Sequence, residues 1–562
     1  MKVGNATASA RFQNTKVQPP SNLFRRLVLS KCPNVDKSLL IIDVIEGPPA
    51  VCISRPRSFG KTTNLLMLRE FFRCDKNTTH FFKDLQIMDP KYRTIREKHM
   101  NKYPVVYVDF RIFNRIDPNQ NDPVSFSDSF NKLFRQYGYL KASEKLTEQQ
   151  KKSILQFKSE SKTDCFSSIQ YLCELLTLHH GVAPILLIDE VDAPLIEAKM
   201  SGIYEQVSEA IHRILLLSLD LNEYYFKAIT CSVLPVFNDV RFVKLGRIVK
   251  DSSLNPLFKS HFGFTEDNVK HLMRDYRKEE GNKLTLKTLS EWYNGYKVGT
   301  ETLFNTASVS ECLSAGGKLR SYQNVFSGSL GKWLEKLLLN HGSLPALNIQ
   351  CLCRNITIKK CFRPESFQLT KMIRFSETNL WNMLYYAGLI TYDGSLKREN
   401  RYQVDLKCPN KEIKDLLLWK VIEPLVDAKM ITDYDTFSKQ VYERDKVFVL
   451  EWMKKYVIGA RGYMTAEGGN KPTLKNLVDY INLLFRGFQK IYGVNSTTTY
   501  KGRVATTVFM NTTAPKQILL QVEVEVEPGT LKKVRHFFTR PDGFNFRIQF
   551  LGNVYTKIKF IR

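Results

Sequence analysis

The chain has 562 residues, 43% of them hydrophobic and 25% charged, so it is too long for one hydrophobic core and too apolar for a disordered protein. Its 83 Lys and Arg against 56 Asp and Glu give a formal net charge of +27, which favours a polyanionic partner. The 11 cysteines lack the regular spacing of a small secreted disulfide scaffold, and no apolar run reaches the roughly 18 residues of a membrane span. We therefore expect an intracellular protein, cytoplasmic or nuclear, without a membrane segment.

The first 250 residues alternate apolar runs with helical segments. Residues 1–22 are a polar, basic tail. Residues 38–45 and 50–54 are apolar runs separated by a Gly-Pro-Pro turn, which predicts two short strands. Further strands are predicted at residues 103–110, 183–190 and 225–232, with helices after residue 60, at 125–139 and at 203–219. Strands alternating with helices predict a parallel sheet covered by helices, a P-loop domain over residues 23–250.

The rest of the chain divides into two further predicted domains. Helical patterns dominate residues 251–440, beginning with "TEDNVKHLMRDY", where Thr265 is the expected N-cap. Residues 441–562 contain one helical pattern at 474–493, followed by the strand-like runs "RVATTVFM", "QILLQVEVEV", "FNFRIQFL" and "VYTKIKFI". The predicted fold is therefore α/β: a P-loop sheet with flanking helices, a mainly helical middle domain and a small C-terminal α/β or α+β domain.

The stretch "AVCISRPRSFGKTTNLLMLREFF" reads as a strand, a tight turn and a helix. In a phosphate-binding loop, or Walker A motif, backbone N–H groups at a helix N-terminus surround the phosphates, a lysine reaches them, and a hydroxyl holds Mg²⁺. Gly60, Lys61 and Thr62 supply these three parts, so we predict binding of ATP and Mg²⁺ here. The predicted contact set also includes the adjoining Ser58, Phe59 and Thr63.

A second acidic motif supports the loop. The apolar strand "PILLIDE" ends in Asp189 and Glu190, the Walker B arrangement, in which the first acid holds Mg²⁺ and the second activates water. We predict Lys61 and Glu190 as catalytic residues, with Asp189 and Thr62 at the metal. The ordinary alternative is a buried strand that ends in a solvated Asp-Glu pair. Thr230 on the next strand is a weak candidate for a residue that senses the terminal phosphate, and no arginine finger is assigned.

Several motifs together resemble one family. In order they are "NVDKSLLI", "ISRPRSFGKTTNLLMLREFF", "YPVVYVDF", "PILLIDEVDAPL", "LFKSHFGFTEDNV", "WYNGYKVG", "LFNTASV", "LWNMLYYAGLIT" and "CPNKEI". They are similar to motifs of the AAA-ATPase-like proteins, and the resemblance covers residues 23 to about 415. In that family Arg-Pro-Arg replaces the first glycine of the phosphate loop. The resemblance therefore implies that Arg57 contacts ATP, together with the loop and acidic residues already named.

This sequence departs from the family pattern at two positions. Ser58 stands where the family has a second arginine, and Cys231 stands where a glycine commonly follows the sensor threonine. The second substitution weakens the assignment of Thr230. Asp192 and Pro194 match the family's strand-end motif, and for Asp192 we expect only a local structural role.

Family members often carry a C-terminal domain similar to PD-(D/E)xK nucleases, whose site needs an acid on one strand and acid-x-Lys on the next. Here Ala505 occupies the position of the first acid, and no lysine stands two residues after Glu523, Glu525 or Glu527. We therefore expect a degenerate domain without nuclease activity. Residues 528–562 alternate basic and aromatic positions, which is typical either of nucleic-acid binding or of a strand with one apolar and one solvated face.

Two functions remain open at this point. The first is an ATP-binding, ATP-hydrolysing protein in which the nucleotide cycle moves one domain against another. The alternative is a protein that binds DNA or RNA through its basic C-terminal region, with a structural nucleotide and an inactive nuclease-derived domain.

Overall fold

The computed structural model describes the chain in segments. They are residues 23–30, 33–114, 126–155, 164–254, 256–279, 284–340, 348–349, 352–353, 355, 357–373, 376–393 and 403–422, and five strands between residues 494 and 560. The described residues form two compact units. The first unit contains the described residues up to Trp333 and within Lys359–Ile413. The second unit contains the described residues within Leu334–Ile358 and from Lys414 onward. The helix predicted at 474–493 lies outside the described residues. The domain boundaries predicted near residues 250 and 440 stay predictions.

A five-stranded parallel sheet organises the first unit. Its strands are β1 (Ala50–Ser54), β2 (Val105–Asp109), β3 (Ile185–Asp189), β4 (Lys227–Ser232) and β5 (Ile248–Ser252). They lie in the order β2-β3-β4-β1-β5, and every neighbouring pair is parallel. Residues of β1, β3 and β4 are buried throughout, because helices cover both faces of the sheet. The predicted α/β class is confirmed, as are four of the five strands predicted before residue 250, and β5 is an additional edge strand.

Nine helices among the described residues surround this sheet. They are α1 (Leu23–Leu29), α2 (Leu40–Glu46), α3 (Lys61–Phe72), α4 (Arg93–His99), α5 (Ser127–Arg135), α6 (Glu148–Leu155), α7 (Ser168–His180), α8 (Ala193–Met200) and α9 (Tyr204–Leu215). A π-helical turn, Leu216–Asp220, continues α9. The helix predicted after residue 60 is confirmed as α3, whose buried face packs in the same core as β1 and β3.

The strand predicted at residues 38–45 is wrong, because these residues form α2. Leu40, Ile41 and Val44 are the buried residues of this helix. Their spacing places them on one helical face, which packs into the core beside α3.

The chain after β5 forms helices and short strands. The helices are α10 (Glu266–Glu279), α11 (Leu286–Tyr293), α12 (Thr306–Ser314), α13 (Gly328–Asn340), α14 (Glu377–Tyr386) and α15 (Lys411–Leu417). The strands β6 (Tyr296–Val298) and β7 (Glu301–Leu303) pair, and β8 (Ile358–Cys361), β10 (Gln403–Lys407) and β9 (Thr391–Tyr392) form a second small sheet. Thr265 accepts a hydrogen bond from the Asn268 N–H at 3.2 Å, which confirms it as the cap of α10.

The second unit contains a five-stranded mixed sheet. Its strands are β11 (Val494–Lys501), β12 (Val504–Asn511), β13 (Ile518–Val526), β14 (Phe544–Leu551) and β15 (Val554–Phe560), in chain order across the sheet. All neighbouring pairs are antiparallel except β13 and β14, which are parallel. The four predicted C-terminal strands are confirmed, and β11 was missed. No helix in the described ranges is long and apolar enough to cross a membrane.

Candidate nucleotide site

The loop between β1 and α3 has the backbone conformation of an anion-binding turn. Gly60 precedes α3 with φ of 82°, and Ser58 also has a positive φ, 63°. Left-handed residues in a short turn direct successive N–H groups into one concave surface. For Gly60 this conformation carries no steric cost, whereas a side chain there would be strained.

Polar groups from a distant segment hold the outer side of this loop. The Asn305 side chain donates to the Arg57 carbonyl at 3.2 Å, and the Thr306 hydroxyl donates to the Ser58 carbonyl at 2.6 Å. The Gly263 N–H donates to the Phe59 carbonyl at 3.2 Å. The C=O and N–H groups of one trans peptide point in opposite directions. The N–H groups of residues 58 to 60, which follow these three carbonyls, therefore face away from the groups that bind the carbonyls.

Lys61 bridges its own loop. The residue is 6% exposed, and its Nζ donates to the carbonyls of Arg55 at 2.9 Å and Pro56 at 2.8 Å. An ammonium group has three protons, so these two bonds leave one donor for another acceptor. Lys61 is therefore the first residue of α3, and its ammonium group is bound by carbonyl groups of the loop.

The predicted metal-binding pair is in direct contact. The Thr62 hydroxyl donates to Asp189 Oδ2 at 2.6 Å, and the Tyr107 hydroxyl donates to the same oxygen at 3.3 Å. Asp189 is fully buried, and burial raises its pKa to about 6, with a further contribution from the negative charge of Glu190. This carboxylate thus lies at the carboxyl end of β3, directly beside the first turn of α3.

Glu190 has an unusual backbone. Its φ is +55°, which is sparsely populated for a residue with a side chain. Its N–H donates to Asp189 Oδ1 at 3.0 Å, and its carbonyl accepts from the Ala193 N–H at 3.0 Å. Strand β3 therefore ends in a tight turn. Asp189, before the turn, is buried, whereas Glu190 lines the cavity described below. Strained residues of this kind concentrate at functional sites.

Asp192 connects two neighbouring strand ends. Its Oδ2 accepts from the N–H groups of Val233 at 3.1 Å and Leu234 at 2.8 Å, directly after β4. The residue is 1% exposed, and its Oδ1 has no hydrogen-bond partner among the described residues. Burial, with the charge of Glu190, raises the pKa of Asp192 to about 6. Pro194 lies in the first turn of α8, where its fixed φ is compatible with the helix.

These elements surround a cavity of about 1310 Å³. Eight of the ten predicted site residues line it: Arg57, Ser58, Phe59, Gly60, Lys61, Thr62, Thr63 and Glu190. Apolar side chains also line the cavity, among them Leu23, Leu27 and Val28 of α1 together with Phe81 and Leu85. The cavity lining therefore combines polar groups of the loop with apolar side chains.

Two sequence candidates lie outside the cavity lining. Asp189 is buried behind it and reaches it through its contact with Thr62. Thr230 is 1% exposed, and its hydroxyl donates to the Val51 carbonyl at 3.4 Å, across the pairing of β4 with β1. In this arrangement Thr230 takes part in the sheet rather than in the cavity wall.

Sequence reasoning missed several cavity residues. Arg111, after β2, and Ser327, before α13, both line the cavity, and Arg57 Nη1 donates to the Ser327 carbonyl at 2.7 Å. Thr306 also lines it. Arg111 and Ser327 carry no local motif of their own, whereas Asn305 and Thr306 belong to the "LFNTASV" motif, which was a signal for them.

Comparison with known proteins supports part of this picture. A family model described as "AAA-ATPase_like: Predicted AAA-ATPase" matches residues 21–240. The matched span includes β1 to β4, the loop and the acidic strand end, and it stops before β5. No curated protein matches the chain. Residues 21–240 are therefore similar to a family of predicted ATPases, and the motifs after residue 240 lie beyond the matched span.

Proposed function

We propose that the protein binds ATP with Mg²⁺ and hydrolyses it at the loop between β1 and α3. The contact between Thr62 and Asp189, beside Lys61 and Glu190, carries this proposal, because it joins the two predicted motifs at one point of the cavity. Hydrolysis requires a base for water, and we assign this role to Glu190, which lines the cavity directly after Asp189. We further propose that the nucleotide cycle drives a domain movement.

The residues present fit the ligand. Thr62 and Asp189 would hold Mg²⁺, since a hydroxyl and a carboxylate are the oxygen donors this ion prefers. When bound, Mg²⁺ would offset part of the negative charge of the phosphates. The apolar side chains of the lining, such as Leu27 and Phe81, suit a heterocyclic base, and the N–H groups of the loop suit the phosphates.

Nucleotide binding is tested with Lys61→Ala. We expect at least about a tenfold loss of ATP affinity, since a charge-assisted hydrogen bond contributes about 1.5–3 kcal/mol. Affinity is measured by isothermal titration calorimetry in Mg²⁺. Lys91→Ala is the matched control, because the Lys91 side chain is 63% exposed and lies outside the cavity lining. Unchanged affinity in a folded Lys61→Ala protein would show that the site is wrong.

Hydrolysis is tested separately with Glu190→Gln. We expect turnover to fall by about 10²–10⁴, the usual contribution of a positioned general base, while ATP binding stays within a few-fold of wild type. Phosphate release measures turnover, and calorimetry measures binding. Equal turnover in the two proteins would remove Glu190 from the proposed mechanism and leave the binding site untouched.

For the C-terminal sheet we propose a nuclease-derived scaffold without cleavage activity. In the pairing of β12 with β13, Ala505 is opposite Val524, so the positions of Glu523 and Glu525 lie on the other face of the sheet from Ala505, which supports the lack of cleavage activity. The two strands are thus neighbours, as a nuclease site would need, while the first acid is replaced by alanine. The second candidate function, nucleic-acid binding, is favoured by the basic positions Arg547 and Lys559, which are register partners on β14 and β15.

A further inference from the structure

Arg111 lies beside the acidic strand end. It follows β2 by two residues, and β2 pairs with β3 so that Asp109 is the register partner of Asp189. The carboxyl ends of these two strands therefore meet at the edge of the sheet where ligands of parallel α/β folds bind. Arg111 and Glu190 both line the cavity.

A single carboxylate holds the Arg111 side chain at this edge. Its Nε donates to Asp109 Oδ1 at 2.9 Å and to Oδ2 at 3.0 Å, and its Nη2 also donates to Oδ2. The Arg111 side chain is 47% exposed, whereas the Asp109 side chain is 18% exposed. The hydrogen bond to Asp109 raises the pKa of Arg111, and the charges of Glu190 and Asp189 act in the same direction. The arginine is thus oriented, always charged and open to the cavity.

The other arginines near the sheet are placed differently. Arg241 pairs with Glu205 and Glu209, and Arg247 donates to the Asn222 carbonyl. Neither lines the cavity. Arg57 does line it, but as part of the loop itself, where its guanidinium bonds to Ser327. Arg111 therefore combines a cavity position with a place beside the strand end that carries Glu190.

We propose that Arg111 binds the terminal phosphate of a nucleoside triphosphate and stabilises the charge that develops there during hydrolysis. The inference rests on the proposed function. A planar guanidinium matches phosphate oxygens as well as it matches a carboxylate, so the contact with Asp109 is exchanged in part for one with phosphate. An arginine supplied by the same chain in this way would add a second positive charge to that of Lys61.

The test compares two ligands in the full-length protein with Arg111→Gln. Affinity is measured for a non-hydrolysable ATP analogue and for ADP, both with Mg²⁺. We expect about a tenfold or greater loss for the triphosphate analogue and a change below about threefold for ADP. Turnover falls as well. Arg93→Gln is the matched control, since Arg93 also pairs with a carboxylate at 2.7 Å but is exposed on α4.

Asp109→Asn separates phosphate binding from a structural role. If Arg111 only fastens the end of β2, this substitution has the same effect as Arg111→Gln. If Arg111 binds phosphate, Asp109→Asn leaves triphosphate affinity equal to or above wild type, because the arginine is released. An equal loss of ATP analogue and ADP in Arg111→Gln, or no loss of either, overturns the proposal. If the proposed nucleotide site itself is wrong, the result is different. In that case Lys61→Ala also leaves the affinities for the ATP analogue and for ADP unchanged.

Discussion

Arg55 occupies the position at which a phosphate-binding loop ordinarily opens with glycine, and its side chain explains how the loop tolerates it. The guanidinium is fully buried and bonds Asp251 of β5 at 2.7 Å, with a second bond to the Asp251 carbonyl at 3.1 Å. It also lies over the Phe262 ring, 5.8 Å from the ring centroid. The side chain therefore turns away from the cavity and joins the loop to the edge of the sheet, while the Arg55 carbonyl faces Lys61.

Loss of this ion pair should destabilise the first unit. Arg55→Met leaves Asp251 buried without its cation, and breaking a buried pair from one side costs about 3–5 kcal/mol. Asp251 keeps bonds from the N–H groups of Leu257 and Phe258, so we expect the lower end of that range. Chemical denaturation followed by circular dichroism measures the free energy of unfolding.

The double variant Arg55→Met with Asp251→Asn provides the control. Because it removes both charges, it should be less destabilised than the sum of the two single variants. Purely additive effects, or an Arg55→Met protein as stable as wild type, would contradict a coupled structural pair.

At the scale of elements, α3 is fastened to its surroundings by Glu70. This carboxylate has a fully buried side chain and pairs with Arg25 of α1 at 2.7 Å, Arg69 at 2.8 Å and Arg73 at 3.5 Å. Burial by itself would raise the pKa of Glu70, but the hydrogen bonds from Arg25 and Arg69 outweigh it, so the pKa is below its ordinary value of 4.5. The helix that begins with Lys61 is thus anchored near its end as well.

Glu70→Gln should therefore lower stability in a pH-dependent way. A carboxylate with a lowered pKa contributes stability above its unfolded pKa, and the contribution is lost as the pH falls through the folded value. We expect a loss of about 2 kcal/mol at neutral pH that shrinks below about pH 4.5. Unfolding curves between pH 3 and 7 measure the difference. Glu97→Gln is the control, because its ion pair with Arg93 is exposed and contributes little. A deficit that is constant across this range would rule out the carboxylate charge as its cause.

Elements with strong local patterns were predictable from the sequence, and those that depend on distant partners were not. The central strands β1, β3 and β4 are buried on both sides, so each is a short continuous apolar run. The run at residues 38–45 looked similar but folds as α2, since short apolar runs do not separate helix from strand. Strand β5 contains Lys250 and Asp251 and was missed, because the burial of Asp251 depends on Arg55.

The candidate site shows the same division. The loop and the acidic strand end are contiguous stretches with a known chemical pattern, so each could be named from the sequence. Arg111 has an ordinary local sequence, and its relevance comes from the pairing of β2 with β3. Asn305 is separated from Arg57 by more than 200 residues, so no spacing rule could connect them.

At the scale of the first unit, the segments after residue 240 belong structurally to the candidate nucleotide site. Gly295 has a φ of 106°, and a Cβ there would lie 2.0 Å from the Pro409 carbonyl oxygen. The backbones of the "WYNGY" and "CPN" motifs are therefore packed so closely that no side chain fits at residue 295. Glu412 is fully buried and accepts from the Ser308 hydroxyl at 2.8 Å and the Tyr322 N–H at 2.7 Å. These contacts fix the start of α12, which in turn holds the loop. The ATPase-like span of residues 21–240 is thus one part of a larger compact unit.

The net charge of +27 is a property of the whole chain and leads to the last prediction. In the C-terminal sheet, register pairs Phe546 with Phe560 and Arg547 with Lys559, so aromatic and basic positions alternate between opposite faces. Basic positions of this kind can contact a phosphate backbone, and such contacts carry no sequence information. We therefore expect weak binding to DNA or RNA, without sequence preference and steeply weakened by salt.

Filter binding over a salt series tests this expectation. Lys557→Gln combined with Lys559→Gln removes two alternate cations of β15, and each lost phosphate contact should lower the slope of log affinity against log salt by about 0.9 on duplex DNA. The matched control is Lys83→Gln combined with Lys91→Gln, since both side chains are exposed and belong to the first unit. An equal change of slope in the two double variants would assign the attraction to net charge alone. No binding of wild type at low salt would exclude nucleic acid as a partner, because electrostatic attraction is strongest under that condition.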